Sequence, residues 1–278
     1  MNKLDIFKTL AAEASKGELV FPTNVNATLK LQRMLDDPDC HIDTAAKLIM
    51  DDPLVAAKTV ALANSVAYNR SGNEITNVKL AVNRLGFRTM KSLVASVIVR
   101  QLSCEITNPA LKAKANQLWE HTAHVAALAQ VIARHVTRVD PDTAMFAAIV
   151  HEIGGFYLIS RAQEHPGLLD GEPEAWTEYS EKLIGRSVMK QLGIPVSVVQ
   201  AVEALWHGYC AFPALSLGDT LLLADDLAPV RSPLHETDEM SKRRISMIID
   251  FDIEDTNFQS LMTESESEVD SLRSALMV

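Results

Sequence analysis

The strongest constraint on this chain is a series of segments whose apolar residues recur every three or four positions, several opened by a capping pair. "DDPLVAAKTVALANS" sets Asp52 before Pro53, and "NPALKAKANQLWEHTAHVAALAQVIARHV" sets Asn108 before Pro109. A short side chain that accepts a backbone N–H bond, followed by a residue without that N–H, starts a helix. In "TNVKLAVNRLG", Val78, Ala81, Val82 and Leu85 share one face, and Gly86 is expected to end the helix in a left-handed conformation. Met90, Leu93, Val94, Val97 and Gln101 form the next stripe. "LVASVIV" has the composition of a short strand but lacks strict alternation.

The segment after Asn108 is long enough that a bend or break near Ala115 is expected. "DPDTAMFAAIVHEIGG" opens on Asp140 or Asp142 and closes at Gly154. "IPVSVVQAVEALWHG" and "LGDTLLLADDLAPV" read as two more helices. At the start, Leu4, Phe7 and Leu10 mark a short amphipathic helix. At the end, Phe258, Leu261, Ser265, Val269, Leu272 and Leu276 mark another with an acidic outer face. It is expected to pack on its own domain or on a partner. Asn64 and Ser65 are expected to cap their helix or bridge to the following loop, because backbone groups at a helix end need partners. With no strand ladder, the expected fold is all-α in two packed lobes, 1–108 and 109–278.

Charge divides at the same place. Residues 1–108 hold 13 Lys and Arg against 11 Asp and Glu, and residues 109–278 hold 13 against 25. A net charge of −10 argues against nucleic acid as a general partner. Arg84, Arg88 and Lys91 read as solvated charges on helix faces, not as a binding patch. No apolar run near the roughly 18 residues of a membrane span is found, and no cleavable leader. Neither membrane nor nucleic acid is expected as a partner. Cys40, Cys104 and Cys210 have neither metal nor disulfide spacing, so they are read as small core residues of a cytoplasmic protein.

Within this helical pattern "VHEIGG" places His151 and Glu152 where burial is expected. His121 shares the stripe of Val125, Leu128 and Ile132, so two imidazoles face inward from separate helices. Asp225 and Asp226 interrupt "LLLADDLA", and His207 follows Trp206. Neighbours in a helix point about 100° apart, so His151 and Glu152 can share an ion only where the helix ends. Two imidazoles with carboxylates can bind a divalent metal, and a bound metal can activate water. Buried and unpartnered, these groups would cost about 1–3 kcal/mol each, so they must bond to one another, to water or to metal.

Taken together, these stretches resemble the HDOD family, bacterial signalling domains related to HD-type metal phosphohydrolases. The resemblance runs from "FPTNVNATLKL" to "LLLADDLA". It rests on "AAKLIMDDPLVAAKTVALANSVAY" and "ITNVKLAVNRLGFRTMKSLV", then on "LWEHTAHVAALAQVIA", "AAIVHEIGGFYLIS" and "AVEALWHG". It implies a second lobe that is an HD-like helical bundle, and a regulatory module linked to response-regulator or cyclic-dinucleotide signalling. It also implies a hydrolase site that is usually degraded. The His, the His–Asp pair and the later Asp of HD hydrolases fall on His121, on His151 with Glu152, and on Asp225, with Asp226 as the other choice. Glu152 stands where the active pattern has Asp, and Trp206–His207 where a His–His pair is usual.

The expected function is therefore non-catalytic regulation through protein–protein contact. The alternatives are a metal-dependent phosphohydrolase of the HD superfamily or an unrelated helical binding protein. The four candidate ligands are expected to hydrogen-bond to one another, with no cofactor required and a divalent metal the one candidate. The length is filled, so signalling partners are expected on separate chains.

Overall fold

A computed structural model describes residues 3–19, 25–170, 181–208, 211, 213–235, 263 and 265–277. Among the described residues every regular element is helical. In chain order they are α1 (Lys3–Ser15), α2 (Val25–Asp36), α3 (Ile42–Met50), α4 (Pro53–Ala63), α5 (Val78–Leu102) and α6 (Pro109–Ile132). Then come α7 (Pro141–Val150), α8 (Ile153–Ala162), α9 (Glu181–Gln191), α10 (Val196–His207), α11 (Leu217–Leu227) and α12 (Glu266–Met277).

The capping pairs act as their chemistry requires. Asp52 accepts from the amides of Leu54 and Val55, Asn77 from Leu80, and Asn108 from Ala110 and Leu111. Asp140, not Asp142, caps α7 by accepting from Thr143. Ser216 and Asp219 form a reciprocal capping box on α11.

α5 is buried on nearly all sides after Met90 and forms the axis of the first lobe, against α2, α3, α4, α7 and α8. Its "LVASVIV" stretch is therefore helical. Gly86 has the expected positive φ, 73°, but a ψ of 168°, so it kinks α5 rather than ending it. That region of backbone space is essentially glycine's alone. α6 runs straight through Ala115 and packs on α7, α8, α11 and α12. Its irregularity comes later, in a π-turn over Ala133–Thr137 that ends on Arg138 with φ 58°.

Three further readings change. Arg84, Arg88 and Lys91 make ties: Arg84 to the carbonyls of Ala63 and Asn73, Arg88 to Asp140, and Lys91 to Asp36. Cys104 is exposed and Cys40 half-buried, so neither is a core residue; Cys210 lies outside the described residues. Pro141–Ala162 is long and apolar enough to cross a membrane, contrary to expectation. Its window is 89% buried within the protein, because α7 and α8 are two consecutive core helices.

The terminal helices each reach across the molecule. α1 packs on α9, and α12 packs on both α6 and α4. Leu272, Ala275 and Leu276 are the buried face of α12, as the spacing predicts; Phe258 and Leu261 lie outside the described residues. Lys58 of α4, 2% exposed, donates to the carbonyl of Leu276 at 2.8 Å. Burial, and then the charge of Arg100, push its ammonium down from 10.5 to about 8. Below pH 8 the charged lysine is carried at its full burial cost. Between pH 8 and 10.5 the unfolded chain binds more protons, so stability rises with pH. Melting temperatures taken across this window should rise more steeply for wild type than for Lys58→Met.

Asn64 bridges the α4–α5 connection as expected. Its Nδ2 donates to the Ile75 carbonyl at 2.7 Å and its Oδ1 accepts from the Ile75 amide at 2.8 Å. Ser65 returns its hydroxyl to the carbonyl of Leu62. Asn64→Ala strands both groups of Ile75 and should cost about 1–3 kcal/mol, read as a melting temperature several degrees lower.

Candidate metal centre

The buried polar cluster is assembled from four places. His121 projects from the middle of α6, where its stripe faces the core, and is 1% exposed. His151 and Glu152, 6% and 3% exposed, occupy the turn between α7 and α8. The helix does end there, at Val150 with His151 as its C-cap rather than at Gly154, and Gly154–Gly155 belong to the first turn of α8. Asp225 comes from the last turn of α11 and keeps 33% of its side chain exposed.

The protons can be assigned from the partners. Nδ1 of His121 lies 2.8 Å from the carbonyl of Val230, and Nδ1 of His151 lies 2.6 Å from that of Ala148. A carbonyl only accepts, so both Nδ1 atoms carry hydrogen and both Nε2 atoms present lone pairs. Those Nε2 atoms are 3.3 Å apart. Oδ1 of Asp225, a third acceptor, lies 3.1 Å from Nε2 of His121 and 3.8 Å from Nε2 of His151. Three lone-pair atoms facing one another in the core require a cation, either an added proton or a metal ion.

With a proton, it belongs on His121. Burial opposes charging there, but the Asp225 hydrogen bond and the charges of Asp225 and Glu152 outweigh it and hold the imidazole above its ordinary value. Burial and the His121 charge push His151 the other way. Burial would raise Asp225, yet the two histidines keep it low. Glu152 is likewise held far below the carboxylate range, by His235 and by the histidines.

With a metal, the spacing also fits. Two atoms each about 2.1 Å from one ion lie roughly 3.0–4.2 Å apart as the bond angle opens from 90° to 180°. All three observed separations fall in that span. Ligand atoms of His121, His151 and Glu152 also lie within 4.8 Å of one another. Two imidazoles with carboxylates suit zinc, manganese, iron or cobalt.

Asp225 thus reaches both histidines, and Glu152 stands beside them, with a carboxylate oxygen within 4.8 Å of their ligand atoms. His207 does not join them. It is exposed at the end of α10, with Nδ1 bonded to the Glu203 carbonyl of its own helix. The residue the sequence did not disclose is His235, whose Nδ1 lies 3.1 Å from Oε1 of Glu152. It sits in "SPLHET", a polar stretch with no helical period that could assign it a direction.

The chain after α11 lies across the centre as a strap. Val230 receives His121, Arg231 receives Gln117 through its carbonyl, and Arg231 returns a guanidinium bond to the Asp225 carbonyl. Leu234 and Glu152 crowd Gly155: a Cβ there would stand 2.6 Å from Cδ1 of Leu234 and 3.0 Å from Oε2 of Glu152. Gly155→Ala should therefore destabilise the protein by about 1–3 kcal/mol through overpacking, measured by chemical denaturation.

Comparison with known proteins agrees with this architecture. A crystal structure from Shewanella amazonensis SB2B, named "Putative metal-dependent phosphohydrolase", matches with TM-score 0.76 at 21% identity, over 99% of both chains. An HDOD domain protein of unknown function from Geobacter sulfurreducens matches at 0.63 and 20%, over 98% of this chain and 97% of that one. A "Putative signal transduction protein" from Marinobacter aquaeolei VT8 matches at 0.61 and 16%, over 100% of this chain and 67% of that one. At these identities the likeness shows the fold. No curated protein matches. The HDOD domain profile matches residues 21–204, two thirds of the sequence and a span that includes His121, His151 and Glu152, and the chain belongs to the HDOD domain family.

Proposed function

We propose that the chain is a non-catalytic regulatory module of bacterial signal transduction, with lobes at 1–108 and 109–278. It acts through contacts with separate signalling proteins, such as response regulators or components of cyclic-dinucleotide pathways. In place of the mutual hydrogen-bond network expected from the sequence, His121, His151 and Asp225 hold one divalent ion, with Glu152 beside it; the three facing lone pairs support this reading. The ion supplies a fixed positive charge that neutralises the carboxylates and cross-links α6, the α7–α8 turn and α11. The observation that carries the non-catalytic reading is the burial of His121, His151 and Glu152 beneath the Val230–His235 strap. A phosphate ester cannot approach these three residues past that strap. The name of the Marinobacter relative supports a signalling role.

A second reading, metal-dependent phosphohydrolase, is favoured by one feature: Asp225 keeps a third of its side chain exposed, so the centre has an edge toward solvent. The name of the first Shewanella relative supports it as well.

Two measurements separate these readings. With Mn²⁺, Mg²⁺ or Zn²⁺, hydrolysis of p-nitrophenyl phosphate and bis(p-nitrophenyl) phosphate should not exceed that of His151→Ala. Turnover that His151→Ala removes would establish the hydrolase instead. Ion binding is read separately: at one hundred times its dissociation constant an ion adds about 2.7 kcal/mol of stability. The wild type should gain that and His151→Ala should not.

A further inference from the structure

We infer that His235 is a positioning residue for the metal centre, fixing the long carboxylate of Glu152 beside the histidines that hold the ion. The inference rests on the ion reading above. Glu152 is buried and projects from a tight turn, where one methylene more than an aspartate carries its carboxylate over an ångström further. Ligand distances tolerate only about 0.2 Å. The surplus length must therefore be taken up by folding the side chain, and a folded side chain holds only if something grips it.

His235 supplies the grip. Its Nδ1 is 3.1 Å from Oε1 of Glu152, while Oε2 stands against Gly155, where no side chain fits. One oxygen is thereby fixed by a hydrogen bond and the other is confined by the absence of a Cβ. The strap that delivers His235 is itself pinned. Five residues earlier the Val230 carbonyl accepts from Nδ1 of His121, the Arg231 carbonyl accepts from Gln117, Ser232 accepts from the Leu234 amide, and Leu234 lies on Gly155. A single short segment thus sets the tautomer of one ligand and the reach of Glu152 beside it. Outer partners of this kind, hydrogen-bonded to a ligating carboxylate, orient the ligand and tune its affinity.

The test is a double-mutant cycle read by Co²⁺ binding, followed by the visible absorption of the bound ion. His235→Ala should weaken Co²⁺ binding about 10–100-fold in the Glu152 background, as loss of an outer partner does. His235→Asn, which keeps a donor near the Nδ1 position, should restore most of it. In the Glu152→Asp background the shorter carboxylate no longer reaches His235, so His235→Ala should change affinity by less than about twofold. The Co²⁺ band should shift on His235→Ala only where residue 152 is Glu. An unchanged affinity in the Glu152 background, or an equal loss in both, would overturn the role of His235 while leaving the ion reading in place. Failure of the folded wild type to bind Co²⁺ would overturn the ion reading and this role with it. Circular dichroism of each variant identifies any loss that is only unfolding.

Discussion

Two hydrogen bonds govern the centre: Nδ1–H of His151 to the Ala148 carbonyl and Nδ1–H of His121 to the Val230 carbonyl. Each spends the only proton of a neutral imidazole on the side away from the centre. Both remaining nitrogens then face Asp225 and each other as acceptors. In water such an arrangement would relax by turning a ring or admitting a donor. In a packed core the rings cannot turn, and the electrostatic demand for a positive charge is stronger.

The rest of the molecule can be understood as what fixes those two bonds. α7 and α8 are both core helices, and the chain must break between them for His151 and Glu152 to share a direction. α6 must run unbroken so that His121 stands opposite that break. α11 must end beside it, so that Asp225 and the strap arrive together. The first lobe contributes no ligand, but α5 packs on both α7 and α8 and supports the turn from behind. Displacement of any of these helices would separate acceptors now 3.1–3.8 Å apart.

The elements that meet at the centre also extend across the molecule. α12 leans on both α6 and α4, and Lys58 ties its last turn to the first lobe.

The sequence determined the helices and their inner faces. Capping pairs, three-and-four spacing and the inward placement of His121 and His151 are local properties, and local properties survive translation into one dimension. It also named the four candidate residues, though through the family resemblance; the pattern alone could only place each on its own segment. What tertiary structure alone decided lies wherever two segments distant in sequence meet. The break falls at His151–Glu152 rather than at Gly154, and Gly155 of the next helix lies close under Leu234 and Leu118. The kink at Gly86 instead of a helix end is visible only in the structure, where the helix resumes beyond it. His235, in an aperiodic stretch, acquires its role only because Val230 and Leu234 hold the strap down. Periodicity records which side of a helix faces the core, but not which residue of an irregular segment will meet it there.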